Sequence, residues 1–249
     1  MTPNVATKVM ARLGASLVAV LGLAVPAWAG DRALIDFIGY STDGRYFAFE
    51  EFGVQDGSGF AYASIFVVDL EDDSWVAGSP FRVQAEDEAL SVAEIRGQAR
   101  AAAAKELTAR DISVPVQIAA LIGDGVPDTD AQNLIFGTPS FGVGSVANVS
   151  ELKLETFAST SPLPCTDWGD NAPLGFALSL TLEDGTTREL HRDTALPRSR
   201  NCPQAYRLYG VVLPFGGSGP IEEGVAIVSV FPLGFEGPDR RFLAVPLAN

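Results

Sequence analysis

The chain has 249 residues and a net charge of −14, from 17 Lys and Arg against 31 Asp and Glu, and it is 47% hydrophobic but only 19% charged. That composition excludes intrinsic disorder, and the acidic balance excludes an electrostatic nucleic-acid binder, whose phosphate contacts need a surplus of Lys and Arg. One His and two Cys also exclude most zinc arrangements, which take three or four nitrogen or sulfur ligands.

The first residues read as an export address. Lys8 and Arg12 make a basic start with no acid before Asp31, an apolar run covers residues 15–25, and Pro26 precedes the triplet Ala27-Trp28-Ala29. This is the order of a cleaved secretory signal peptide, with the cut expected between Ala29 and Gly30. The apolar run is shorter than the ~20 residues of a membrane span, so no stable membrane insertion is expected after cleavage. Loss of residues 1–29 removes two bases and no acids, leaving 15 bases against 31 acids and a net charge of −16. The expected product, residues 30–249, is a single β-rich domain that is secreted, most simply into the periplasm.

Residues 33–76 alternate apolar runs with turn signals. Ile35, Phe37, Ile38 and Tyr40 form a first run, ended by Ser41-Thr42-Asp43-Gly44. A second run resumes at Arg45, a glycine-rich loop covers residues 53–59, and a third run covers residues 61–70 before an acidic turn into Ser74-Trp75-Val76. Asp-Gly and glycine-rich breaks between such runs predict an antiparallel meander of four strands.

The character changes at residues 86–110. Acids Glu86, Asp87 and Glu88 open an Ala-rich stretch that closes on Arg100, Lys105 and Arg110, which matches a helix dipole. Leu90, Ala93, Gly97, Ala101 and Ala104 recur at steps of three and four, predicting a small-residue face pressed against a sheet.

Residues 112–146 are dense in Gly, Pro and Asp and predict no clear element. Strand-like runs return at 151–157, 174–182, 186–192, 205–213, 224–231 and 240–245, with Glu183-Asp184-Gly185 as a hairpin turn. Cys165 and Cys202 are the only cysteines. In an oxidising compartment a lone pair bonds to itself, and closing this loop contributes roughly 4 kcal/mol in the chain-entropy model. The fold expected is mainly β (α+β), with antiparallel blade-like sheets as a partial propeller or sandwich and one long helix.

The segment 39–49, GYSTDGRYFAF, followed by IFVVDL at 65–70, resembles one blade of the TolB-type β-propeller repeat, in which S-x-D-G-K/R-x-I/F-A-F precedes a strand of the form I-Y/F-V-V-D-L. GPDRRFLAV at 237–245 echoes the same motif. Taken with the signal peptide and the Ala-rich helix, the whole arrangement is similar to a family of predicted secreted bacterial proteins grouped as a domain of unknown function. That resemblance implies an exported protein and carries no catalytic residue.

Candidate chemistry is sparse. Asp124, Asp128 and Asp130, in Gly-Asp-Gly-Val-Pro-Asp-Thr-Asp, are candidate calcium ligands, since hard cations take carboxylate oxygens. The sole imidazole, His191, has no G-x-S-x-G elbow to serve, and Ser145 lacks the second glycine of one. Ser150 and Lys153 match S-x-x-K, but strand geometry sends them to opposite faces, as it does Glu50 and Glu51. Trp168, between Asp167 and Asp170, is a candidate contact for a sugar or a basic ligand. No phosphate loop or dinucleotide fingerprint is present, so no organic cofactor is expected. These readings predict a non-catalytic binding or interaction module whose partner is an unknown envelope protein or ligand. The alternatives are an envelope-acting hydrolase using carboxylates, or a calcium-stabilised module.

Overall fold

Period-two alternation organises the N-terminal sheet. In the computed structural model, which describes residues 30–125, 130–165, 172–216, 220–234 and 237–248, the expected meander forms from β1 (Leu34–Ser41), β2 (Tyr46–Val54), β3 (Ala61–Asp69) and β4 (Ser74–Trp75). The β1–β2 turn is built as the sequence requires. Asp43 accepts from the Ser41 hydroxyl and the Arg45 amide, and Gly44 sits at φ +74°, a region only glycine enters freely. β5 (Phe81–Gln84) shares the outer edge of β3 with β4, and β6 (Ile112–Val114) pairs with β1, giving six strands in one antiparallel sheet.

One face of this sheet carries Phe47, Phe49, Tyr62, Phe66 and Val68, and the other carries Ala48, Ala61, Ala63, Ile65 and Val67. The second face is covered by the helix α1 (Val92–Ala109), whose buried residues are Ile95, Ala99 and Ala103. Alanine meets alanine there, which allows the close approach expected. The helical face is nevertheless not the one the spacing suggested. Ala93, Gly97, Ala101 and Ala104 point to solvent, and the helix starts at residue 92 rather than 86. Its start is set by a capping box, in which Ser91 accepts from the Glu94 amide and Glu94 accepts from the Ser91 amide at 2.8 Å. The buried face was obscured because it contains Arg96, whose guanidinium lies 3.8 Å from the centre of the Phe52 ring and pairs with buried Glu50.

Pro115 carries the chain from β6 into β7 (Val116–Leu121), and β8 (Asn133–Pro139) follows, so residues 112–146 hold three strands that the sequence pattern concealed. β8 through β11 form a four-stranded sheet of order β11-β10-β9-β8, from β9 (Val146–Ala158), β10 (Leu174–Thr181) and β11 (Thr187–Arg192). The last sheet has the order β14-β13-β12-β7, with β12 (Pro203–Pro214), β13 (Val225–Pro232) and β14 (Arg241–Pro246).

That last sheet is the middle layer. On β13, Val225 and Ile227 join the core against the N-terminal sheet, while Ala226, Val228 and Val230 join the core against β8–β11. A strand buried on both faces reads as a continuous apolar run, and VAIVSVF is one. The order is therefore α1, N-terminal sheet, middle sheet, β8–β11 sheet, all antiparallel and stacked face to face. Cys165 and Cys202 form the expected disulfide, with Cα atoms 5.5 Å apart, tying the chain after β9 to the start of β12.

Candidate functional site

The three sheets do not meet flush. Where the edge strand β14 of the middle layer ends, the two outer sheets overhang it and frame an open cavity of about 680 Å³. One wall is the inward face of β2, β3 and β5, the floor is residues 241–245 of β14, and the other wall is His191 with residues 197–201. The disulfide bears on this geometry directly. Cys202 adjoins the wall at Asn201, whose carbonyl accepts from Ser161 on the strand side of Cys165.

Strand register sets out the first wall in rows. Phe49 pairs with Phe66, Glu51 with Ser64 and Ser64 with Arg82, and Gly53 with Tyr62 and Tyr62 with Gln84. Gly53 is required by its row, because a Cβ there would stand 2.9 Å from the Tyr62 hydroxyl. Phe49 and Phe66 stack at 4.8 Å, and Trp75 meets Phe66 edge-on at 5.3 Å, leaving the Trp75 side 39% exposed.

Glu51 is buried and accepts a hydrogen bond from the Phe242 amide on the edge of β14. Burial pushes its carboxyl up to about 7, against the opposing pull of the Phe242 amide, Arg241 and Arg82. Arg241 donates to the Tyr62 hydroxyl at 3.2 Å and to Asp31 at 3.1 Å. Burial raises the Tyr62 phenol to about 12, so it remains protonated at neutral pH.

On the opposite wall, Asp193 accepts from the Phe176 amide at 2.9 Å and from Arg200 at 2.8 Å, and meets His191 Nε2 at 3.1 Å. His191 stacks on Phe176 and reaches across the cavity to Asp73 at 3.7 Å. Burial opposes its charge, but the hydrogen bonds to Asp193 and Asp73 outweigh it and carry the imidazole up to about 9. An imidazolium at neutral pH cannot act as a general base. Four cations, Arg82, His191, Arg200 and Arg241, thus line the cavity against two acids, Glu51 and Asp73, in a protein where acids outnumber bases.

Other residues singled out in the sequence lie elsewhere. Asp124 is paired with buried Arg240 and lies 3.7 Å from Arg32, while Asp130 accepts from the Gln132 amide and Asn133. Asp128 and Trp168 lie outside the described residues, as does Ala29, and Gly30 is the first described residue. Among the described residues no group of three or more His, Cys, Asp or Glu is arranged around a metal position. Ser150 is buried, whereas Lys153 is exposed and pairs with Glu155 at 2.7 Å, as strand geometry requires. Ser145 lies in the exposed β8–β9 turn.

A family model described as predicted secreted protein, DUF2259, matches residues 48–248. The chain belongs to this family of predicted secreted proteins. The match covers every residue that lines the cavity. No curated protein matches the chain. Among the described residues no helix is long and apolar enough to cross a membrane.

The cavity residues Arg82, Ser64 and Arg241 were missed in the sequence, although a signal existed. Glu51 continues the inward stripe of Phe47 and Phe49, and Arg240-Arg241 opens an apolar strand. A charge in a core-facing register marks a site where the core is interrupted.

Proposed function

We propose that this chain is a periplasmic, non-catalytic binding module, one secreted domain beginning at Gly30, which takes its ligand in the cavity between the three sheets. The observation that carries this reading is the cavity itself. It has the size of small-molecule sites, aromatic walls, and a few converging polar groups. A hydrolase would need a base beside a nucleophile or two cooperating carboxylates. Here the imidazole is held as a cation, Asp73 is committed to His191, and Glu51 to the Phe242 amide.

The test is thermal unfolding of the exported protein with and without a small-molecule extract of the periplasm. Ser64→Trp fills the cavity from its wall. A rise in Tm for the wild type that disappears in S64W is the expected result. A rise that persists in S64W, or no rise with any extract, would remove the cavity as the binding site.

A further inference from the structure

The lining cations differ in one respect. Arg241 is held by Asp31 and Tyr62, Arg200 by Asp193, and His191 by Asp193 and Asp73. Arg82 makes no hydrogen bond or ion pair with any described residue. It projects from β5 into the same row as the Ser64 hydroxyl, on the wall that carries Phe66 and the exposed Trp75 ring. A guanidinium presents a planar fork that fits a carboxylate bidentately, and a hydroxyl beside it adds a third donor.

We infer that the cavity takes a small organic monoanion, a carboxylate with an aromatic or alkyl body, whose carboxylate pairs with Arg82 and Ser64 and whose body lies on Phe66 and Trp75. This rests on the cavity being the binding site. The charge balance argues against the other charged classes. An amine would meet the guanidinium of Arg82 on this wall with no acid paired to it. A dianion such as a phosphate monoester would face Glu51, two strands from Arg82 in the same row and hence about 10 Å away, and Asp73. The volume of about 680 Å³ suits a compact ligand rather than a polymer.

Three matched probes test this on the isotope-labelled exported protein, followed by NMR at the Trp75 indole, which W75F assigns. They are 3-phenylpropionate, 3-phenylpropanamide and 3-phenylpropylamine, with phenyl phosphate as a fourth. The acid should bind at least about 10-fold more tightly than the amide, the worth of one charge-assisted pair. Arg82→Gln should bring that ratio to about one while leaving the amide unchanged. Arg207→Gln, at an exposed arginine that does not line the cavity, should preserve the ratio. Equal binding of acid and amide, an acid preference that survives R82Q, or tighter binding of phenyl phosphate would each overturn the inference and leave the cavity as a binding site. So would neutral fragments that occupy the cavity when the acid does not. If neither the probes nor a varied fragment set perturbs the Trp75 indole, the binding reading itself fails.

Discussion

Glu50 and Glu51 are neighbours on one strand, 0% and 3% exposed, yet the two faces of the N-terminal sheet treat them oppositely. On the helix side, Arg96 bridges Glu50 at 2.8 Å and Asp36 at 2.6 Å, and Arg100 approaches Glu50 at 3.5 Å. The carboxylate is buried with its countercharge, among closely packed alanines. On the cavity side, Glu51 has one backbone amide and no cation in contact, and burial drives its carboxyl towards neutrality. A fully compensated charge belongs to a finished core. An incompletely compensated one marks a surface that was left open, and perturbed groups of this kind cluster at functional sites.

Breaking the compensated side should have the largest effect. Arg96→Ala leaves Glu50 buried with only the more distant Arg100, and should cost about 3 kcal/mol in urea unfolding at pH 7. A loss under about 1 kcal/mol would show that the two faces are electrostatically alike. On the open side the sign reverses. The folded-state pKa of Glu51 is raised from 4.5 to about 7, so the native state binds the extra proton and Glu51 weakens the fold increasingly from pH 4.5 to about 7. Glu51→Gln keeps an acceptor for Phe242 and should stabilise the protein by about 2 kcal/mol at pH 8, with no gain near pH 4. A gain independent of pH would refute the assigned cause.

The far wall sharpens the contrast with a smaller term. His191 is raised from 6.5 to about 9, so its stabilisation is complete below pH 6.5 and is lost as pH rises through 9. Between pH 6 and 10, wild type should lose about 1–2 kcal/mol more than His191→Gln, measured by unfolding across that range. The smallest effect concerns the helix face. Gly97 is exposed, with open space around the position of a Cβ, so Gly97→Ala should add about 1 kcal/mol. A destabilised G97A would restore the face that the small-residue spacing suggested.

The helix shows why parts of the molecule were legible and others were not. Asp-Gly turns and strict alternation fixed the N-terminal meander because each is a local signal, and the apolar run at 224–231 marked β13 as a strand in the same way, though not its central position. The face of α1 was misread because alanine is indifferent to burial, so its spacing carries little information. The deciding residue, Arg96, is drawn inward by Glu50, 46 positions earlier in the chain. Strands β6 to β8 were hidden for a related reason. They are short edge pieces with exposed Ile118, Leu121 and Ile135, and the partners of β6 and β7 are distant in sequence. The cavity was the least legible feature. It arises where three sheets fail to coincide, and no local pattern records that offset, although Glu51 and Arg241 in apolar registers mark two of its borders.

The floor strand has a bearing on how copies of the protein tolerate one another. β14 is the free edge of its sheet, and an open edge is a template on which a second chain can add. Here the Arg240 amide is taken by the Asp31 carbonyl at 2.6 Å, the Phe242 amide by Glu51, and Pro246 has no amide to offer. The strand is guarded by its own chain along most of its length, and it lies beneath two overhanging walls. At this edge, therefore, crowded molecules find no bare ladder on which fibres begin, and their strong excess of like charge drives them apart.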